Sequence, residues 1–441
     1  MRERSNRYRT NRLWARAALL LATSGLLLSP SGALASASVK APTLVKPTLP
    51  APKPPAPAPA PAKPSPTKPT EAPAPAPAPA PTPAPAPTAP AAESGSESWK
   101  IVAPATLAED DFDVLNSTYA ASSGEAWAVG EQRAESSEAF EALFEEWTGS
   151  EWKAVSGAAL GSASTGSSLN GVSGTGPDNV WAVGGNSSSS VQSLIEHWNG
   201  TSWTASATAA GEPADSTLAA VSADSAGDAW AVGESAVSEP HTTGKQPLIE
   251  HYNGSSWSVV QGAFTGNEND TLIAVDAVSP SDVWALGVAK PRSYSGAGAS
   301  VLERYNGTEW SIVETPAGTH LNALTGTSAD DVWAAGQEGS SPVIEHYTGS
   351  TWTAVPGAAA AEGKGGLLSI TELSPTDVWA VGRGVTEHYN GTSTNVVASA
   401  SEEASLEARV ESTSGISGGP LFAVGSEHGG NDALILEQPA P

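Results

Sequence analysis

After residue 97 the apolar residues fall into short runs of strand length, and the runs repeat. The most regular run is Trp-Ala-Val-Gly or a near copy, headed by Trp127, Trp181, Trp230, Trp284, Trp333, Trp379 and Phe422. Twelve residues before each head stands Leu115, Leu169, Leu218, Leu272, Leu321, Leu367 or Val410, with no insertion or deletion in any copy. A spacing this constant fixes a hairpin between a first strand, A, and a second strand, B. A third strand, C, follows at variable distance and ends on an aromatic residue, as in Leu248-Ile-Glu-His-Tyr252. Five residues later comes the Trp of a fourth strand, D, at Trp152, Trp203, Trp257, Trp310 and Trp352. The turn between C and D reads Asn-Gly at Asn199, Asn253, Asn306 and Asn390, residues that tolerate positive φ in a two-residue hairpin turn.

Heads 43 to 54 residues apart, in segments rich in strand formers, predict an all-β seven-bladed β-propeller of four-stranded antiparallel blades. A flat sheet of tandem hairpins would leave the Trp and Leu side chains uncovered. The seventh copy has Val410, Phe422 and Leu434-Ile-Leu-Glu437 but no D strand before the chain stops, and Ser98-Trp99-Lys-Ile-Val102 carries the D pattern ahead of the first copy. The N-terminal strand is therefore expected to complete the last blade and leave no open edge. Strand B, covered on both faces, should place Trp and Val in the gap between blades, with Ala and Gly letting the adjacent sheet come close. The acid two residues ahead (Glu125, Asp228, Asp282, Asp331, Asp377, and Asp178 with Asn179) is read as a turn residue bonding backbone N–H groups.

The B to C and D to A connections vary in length, and in an up-and-down blade both lie on the same face. Diversity is thereby confined to one rim, where loops on a rigid scaffold carry function.

Ahead of the repeats the chain changes character. Six arginines between Arg2 and Arg16, an apolar run from Ala17 to Leu28 and Ala33-Leu-Ala35 read as a secretory signal over residues 1–35, cleaved or retained as an anchor. Residues 36–96 are a Pro/Ala-rich disordered linker with scattered lysines, unable to bury a core, read first as a spacer, with a stalk holding the domain away from a membrane or wall as the sharper alternative. The repeats fill residues 97–441. A secreted or cell-surface bacterial protein is expected, not integral to the membrane once the signal is cleaved, and monomeric. The absence of Cys leaves packing to stabilise it and excludes thiol chemistry. Residues 1–96 hold eleven of the 21 Lys and Arg and three of the 47 acids, which leaves the domain ten basic and 44 acidic residues. That surface repels nucleic acid and anionic lipid and suits a cationic partner or a saline exterior.

Glu303-Arg-Tyr-Asn-Gly-Thr-Glu-Trp310 and Trp181-Ala-Val-Gly-Gly185 resemble the kelch motif of galactose-oxidase-type domains, with glycine ending strand B, Tyr in C and Trp in D. The resemblance spans about residues 97 to 441. Departures are the Gly-Gly pair, complete only in the second copy, and Thr394 in place of the sixth D-strand Trp. It implies a binding platform that uses the B to C and D to A loops. The copper radical centre of galactose oxidase needs a crosslinked Cys, which this chain lacks.

All fourteen Trp of the domain, Trp99 included, sit in repeat slots, which leaves none as a free sugar-stacking platform. His197, His251, His346 and His388 share one slot beside Glu196, Glu250, Glu345 and Glu387, a repetition that argues for structural pairing. Candidates for binding are residues the period does not explain: Lys290, Arg292 and Tyr294 in the fourth B to C loop, Arg383 in the shortest one, His241 in another, and His320 in a D to A loop. His428 lies on the same rim. Glu109-Asp-Asp-Phe-Asp113 lacks the spacing of a known calcium loop, and no hydrolase elbow, paired-His zinc motif or phosphate loop occurs. No metal and no cofactor is implied. The sequence reads first as a module binding a protein or glycan, such as an envelope polymer, through its variable rim without catalysis. A propeller hydrolase or lyase using rim carboxylates and a structural spacer are the alternatives.

Overall fold

The structure is a computed structural model that describes residues 99–105, 112–134, 137, 139–158, 166–187, 190–237, 244–264, 270–289, 298–355, 365–397, 408–427 and 432–440. The leader, the linker, His241, Lys290, Arg292, Tyr294, His428 and Glu109-Asp-Asp111 fall outside them. Among the described residues every regular element is a strand, and the strands form seven four-stranded antiparallel sheets.

The first strand, β1, is Lys100–Val102. Blade 1 then comprises β2 (Phe112–Ser122), β3 (Glu125–Arg133), β4 (Glu141–Trp147) and β5 (Trp152–Ala154). Blade 2 has β6 (Gly166–Gly176), β7 (Asn179–Ser187), β8 (Val191–Trp198) and β9 (Trp203–Ala205). Blade 3 has β10 (Thr217–Ser225), β11 (Asp228–Ala236), β12 (Lys245–Tyr252) and β13 (Trp257–Val259). Blade 4 has β14 (Thr271–Ser279), β15 (Asp282–Ala289), β16 (Ala299–Tyr305) and β17 (Trp310–Val313). Blade 5 has β18 (Thr319–Ser328), β19 (Asp331–Glu338), β20 (Ser341–Tyr347) and β21 (Trp352–Val355). Blade 6 has β22 (Leu367–Ser374), β23 (Asp377–Gly382), β24 (Thr386–Tyr389) and β25 (Thr394–Val396). In blade 7, β26 (Arg409–Gly415), β27 (Leu421–Glu427) and β28 (Asp432–Gln438) are joined by β1, which runs antiparallel to β28 with Lys100 opposite Glu437 and Val102 opposite Ile435.

The A strands touch one another around the ring and are innermost; the D strands lie outermost. The hydrophobic interior is divided into seven wedges, each shared by two neighbouring blades. In five of the seven wedges the B-strand aromatic of one blade meets the C-strand aromatic and the D-strand Trp of the next; between blades 6 and 7 Trp379 meets Trp99 but no C-strand aromatic. Trp181 lies 4.8 Å from Tyr252 and 5.3 Å from Trp257; Trp230 lies 5.1 Å from Tyr305 and 5.5 Å from Trp310. Burying one such indole stabilises by about 3 kcal/mol, in addition to the Leu, Val and Ile buried in the same wedges. Blade 6 departs: Thr394 is buried where the D-strand Trp should be, and Trp333 meets Tyr389 alone, at 5.1 Å.

Two expectations about strand B are corrected. The closing glycine makes room for strand A of its own blade, not for the neighbouring sheet. A β-bulge follows Leu115 and its six counterparts and pushes a carbonyl toward strand B. A Cβ on Gly233 would lie 2.1 Å from Thr217 O, and one on Gly130 would lie 1.9 Å from Val114 O. The acid ahead of the Trp, in turn, reaches across to strand C rather than capping the turn backbone. Asp228 accepts from His251 Nε2 at 3.1 Å and Asp331 from His346 Nε2 at 2.6 Å, while Asp282 holds Arg304 through both oxygens at 2.6 and 3.1 Å.

Around the channel a belt of side chains joins successive A strands. Ser117 Oγ accepts from Val172 N, Ser173 Oγ from Ala223 N, Ser222 Oγ from Ala277 N, Ser369 Oγ from Thr413 N, and Ser412 and Ser414 Oγ from Thr118 and Ala120 N, all at 3.0–3.3 Å. Asp276 takes the same part between blades 4 and 5, accepting from Gly326 N at 2.6 Å. Inner-strand N–H groups left without a ladder partner are satisfied in this way, which fixes the blades in register.

Candidate binding rim

Each D strand is three or four residues long, whereas most C strands have seven or eight. The upper outer edge of C therefore projects beyond its partner toward the rim of B to C and D to A connections. In blade 2 the exposed edge is met by side chains of the following D to A connection: Asp215 Oδ1 accepts from Val191 N at 3.2 Å and Glu212 Oε1 from Ser193 N at 3.3 Å. The polypeptide pulls away from this edge to form a cleft of about 330 Å³ lined by Val191, Gln192, Thr208, Ala209, Glu212 and Pro213. A second cleft, of about 230 Å³, lies in the B to C connection of blade 1, lined by Gln132, Arg133 and Glu141 among others. The Arg133 guanidinium sits 5.0 Å above the Phe140 ring, which packs edge-on to Phe112. Both clefts open on the variable rim.

Beneath this rim lies a ring of buried acids whose partners differ from those expected. The strand C glutamates Glu145, Glu196, Glu250, Glu303, Glu345 and Glu387 are all buried, one per blade in blades 1 to 6. They point to the opposite face of strand C from the histidines beside them, so the expected Glu–His pairing does not form. Each His instead stacks on the Trp of strand B, as at Trp333–His346 with 3.9 Å between ring centres, and pairs with the acid or Asn179 at the start of that strand. The glutamates hold the D to A connections down: Glu145 accepts from Ala105 N at 3.0 Å, Glu196 from Ala158 N at 2.7 Å, and Glu303 from Ala263 and Phe264 N at 2.8 and 3.1 Å. Burial pushes the carboxyls of Glu145, Glu196 and Glu387 up to about 7. It pushes Glu250 up to about 8, with the Glu212 carboxylate adding to the rise and Ala209 N–H opposing it. The signal was present in the sequence as an acid repeated in an apolar strand.

A different set of acids gathers at the opposite, A to B end of the channel. Glu372 occupies the A-strand position filled elsewhere by Ala120, Gly174, Ala223, Ala277, Gly326 and Gly415. It accepts from Thr327 Oγ1 at 3.2 Å, and burial together with Asp331 pushes its carboxyl up to about 7. Burial likewise raises Asp276 to about 6, against the hydrogen bond from Gly326. Neither cleft reaches these groups. Among the described residues no set of three His, Cys, Asp or Glu side chains is placed to hold a metal ion, and no helix is long and apolar enough to cross a membrane.

Of the candidates from sequence, Arg383 is exposed just after β23 and forms a bridge with Arg409 at the start of β26. His320, expected in a D to A loop, is the second residue of β18 and pairs with Gln337, because the inner strand begins earlier than the apolar pattern does. Residues Trp127, Trp152, Trp203, Trp257, Trp284 and Trp310 are buried in the slots assigned to them, as are Trp99, Trp181, Trp230, Trp333, Trp379 and Phe422; Trp352 is half-buried.

No protein-family model matches the chain, and no curated protein matches it in sequence. Solved structures share the fold. YCF48 bound to D1 peptide is 14% identical with a TM-score of 0.51, over 78% of this chain and 95% of that one. U3-55K is 10% identical with a TM-score of 0.51, over 77% and 98%. The acylaminoacyl peptidase of Pyrococcus horikoshii is 8% identical with a TM-score of 0.50, over 75% of this chain and 52% of that one. At these identities the likeness establishes the seven-bladed propeller and nothing finer.

Proposed function

We propose that the chain is an exported or surface-tethered propeller, kelch-like in its repeat, that binds a protein or envelope polymer through its B to C and D to A rim and performs no catalysis on it. The observation that carries this reading is the placement of both clefts on the rim whose connections vary, above hairpin turns of constant length on the other face. A scaffold that holds one face fixed and diversifies the other suits recognition. Peptide binding by YCF48, a protein of similar fold, supports the class of partner. The kelch-like assignment rests on glycine closing strand B, Tyr in strand C and Trp in strand D. The signal and the Pro/Ala-rich linker support export and tethering.

Convergent carboxyls with raised affinity for protons would favour an enzyme, and Glu372 and Asp276 are such groups. They accept from Thr327 Oγ1 and Gly326 N of blade 5, however, on the face away from the clefts, which makes them a joint between blades. The test is capture from envelope extract by the full chain and by variants with a shortened rim loop, at Val288–Ser300 and at Gly211–Asp215. Loss of partner in at least one variant is expected. Equal capture by all of them would sink the rim as the working face.

A further inference from the structure

The cleft between blades 2 and 3 is a built site with unspent polar groups behind its walls. Ser193 lies on the same side of β8 as Val191, which lines the cleft; it is 5% exposed, and its Oγ has no hydrogen-bond partner. Glu250 is 0% exposed; the Ala209 N–H faces its carboxyl and the Glu212 carboxylate lies beside it, and Ala209 and Glu212 are both in the cleft wall. A buried oxygen that no donor reaches, as at Ser193, is costly. At the mouth, Asp215 is exposed and adopts φ of 51°, the left-handed region, among the described residues the one non-glycine to do so. That conformation brings its carboxylate to the Val191 N–H beside Glu212. Val191, 37% exposed, with Ala209 and Pro213, adds an apolar wall.

We propose that this cleft receives a basic side chain, a lysine presented by a protein partner, with Glu212 and Asp215 taking the ammonium group and Val191, Ala209 and Pro213 flanking its aliphatic stem. This rests on the rim reading above and names the chemistry of the partner. An ammonium donates three hydrogen bonds and no acceptor is required of it, which matches a site whose free side-chain atoms are carboxylate and hydroxyl oxygens. The raised carboxyl of Glu250 fits the same assignment, because a cation nearby offsets the charge it otherwise avoids. The surplus of acid over base in the domain draws such a partner in.

The test uses the full chain and two probes, Nα-acetyl-lysine methylamide and its uncharged norleucine counterpart, followed by amide NMR shifts. The lysine probe is expected to move the Val191, Ser193 and Gly211 amides saturably and the norleucine probe to leave them in place. Glu212→Gln and Asp215→Asn should each weaken the lysine probe at least tenfold, while Glu196→Gln, in strand β8 but outside the cleft lining, should not. Equal responses to both probes, or undiminished binding in Glu212→Gln and Asp215→Asn, would overturn the assignment. Envelope capture separates the two readings: if Glu212→Gln retains a partner that the shortened Val288–Ser300 loop loses, the cleft assignment falls and the rim stands.

Discussion

Trp99 stands edge-on to Trp379, ring centres 5.8 Å apart and planes at 89°, so a residue at the start of the domain seals the wedge between blades 6 and 7. Both indoles are almost wholly buried. Trp99→Ala should cost about 3–5 kcal/mol, the range for emptying a large aromatic site. Urea unfolding followed by Trp fluorescence checks this, and a loss near zero would mean that β1 does not close the ring.

Strand B glycine is a steric requirement. Gly233→Ala would place a methyl carbon 2.1 Å from Thr217 O and should destabilise by about 3 kcal/mol, because backbone rather than a flexible side chain is in the way. Gly124→Ala, with nothing within 4 Å, should stay within about 0.5 kcal/mol of the parent. Comparable losses in the two variants would remove the bulge as the reason for the glycine.

The inner belt has a similar internal control. Ser222→Ala leaves the buried Ala277 N–H without its acceptor and should cost about 1–3 kcal/mol. Ser258→Ala removes a long, exposed bond to His251 O and should be close to neutral. Thermal unfolding of the two variants side by side decides the matter.

The buried glutamates set the response to pH. Their carboxyls hold protons up to about 7 for Glu145, Glu196 and Glu387 and about 8 for Glu250, against an ordinary value of 4.5 in the unfolded chain. Between those limits the native state binds protons that the unfolded state has lost, so stability falls as pH rises through the window. His197, lowered by burial, acts in the opposite direction below its ordinary value of 6.5, and Asp377, lowered by His388, loses its contribution only as pH falls below about 3.8. Greater resistance to urea at pH 5 than at pH 8 is expected, with the difference reduced in Glu196→Gln. The reverse order would mean that the glutamates are not held neutral.

The period, the blade count and the aromatic slots were legible in the sequence because they are matters of spacing, and spacing is what a repeat preserves. The partners of polar residues were less so. Asp228 and His251 stand far apart along the chain, and only the pairing of β11 with β12 shows that the acid reaches the imidazole rather than the turn. Glu250 and His251 are adjacent in sequence yet face opposite ways, since neighbours along a strand alternate sides. The cleft beside β8 was harder still. Glu212 and Asp215 sit in a connection without periodicity, and their relation to Val191 and Ser193 follows from how early β9 ends.

Pairing Lys100 with Glu437 also makes assembly a late event. The seventh blade cannot form until nearly the whole domain has been synthesised, and closing a loop of that size is slow relative to the local hairpins that precede it. Until then Trp379 lacks its Trp99 cover and β1 has no strand to pair with. A nascent chain would therefore remain an unfinished arc, rigid only once β28 has been made.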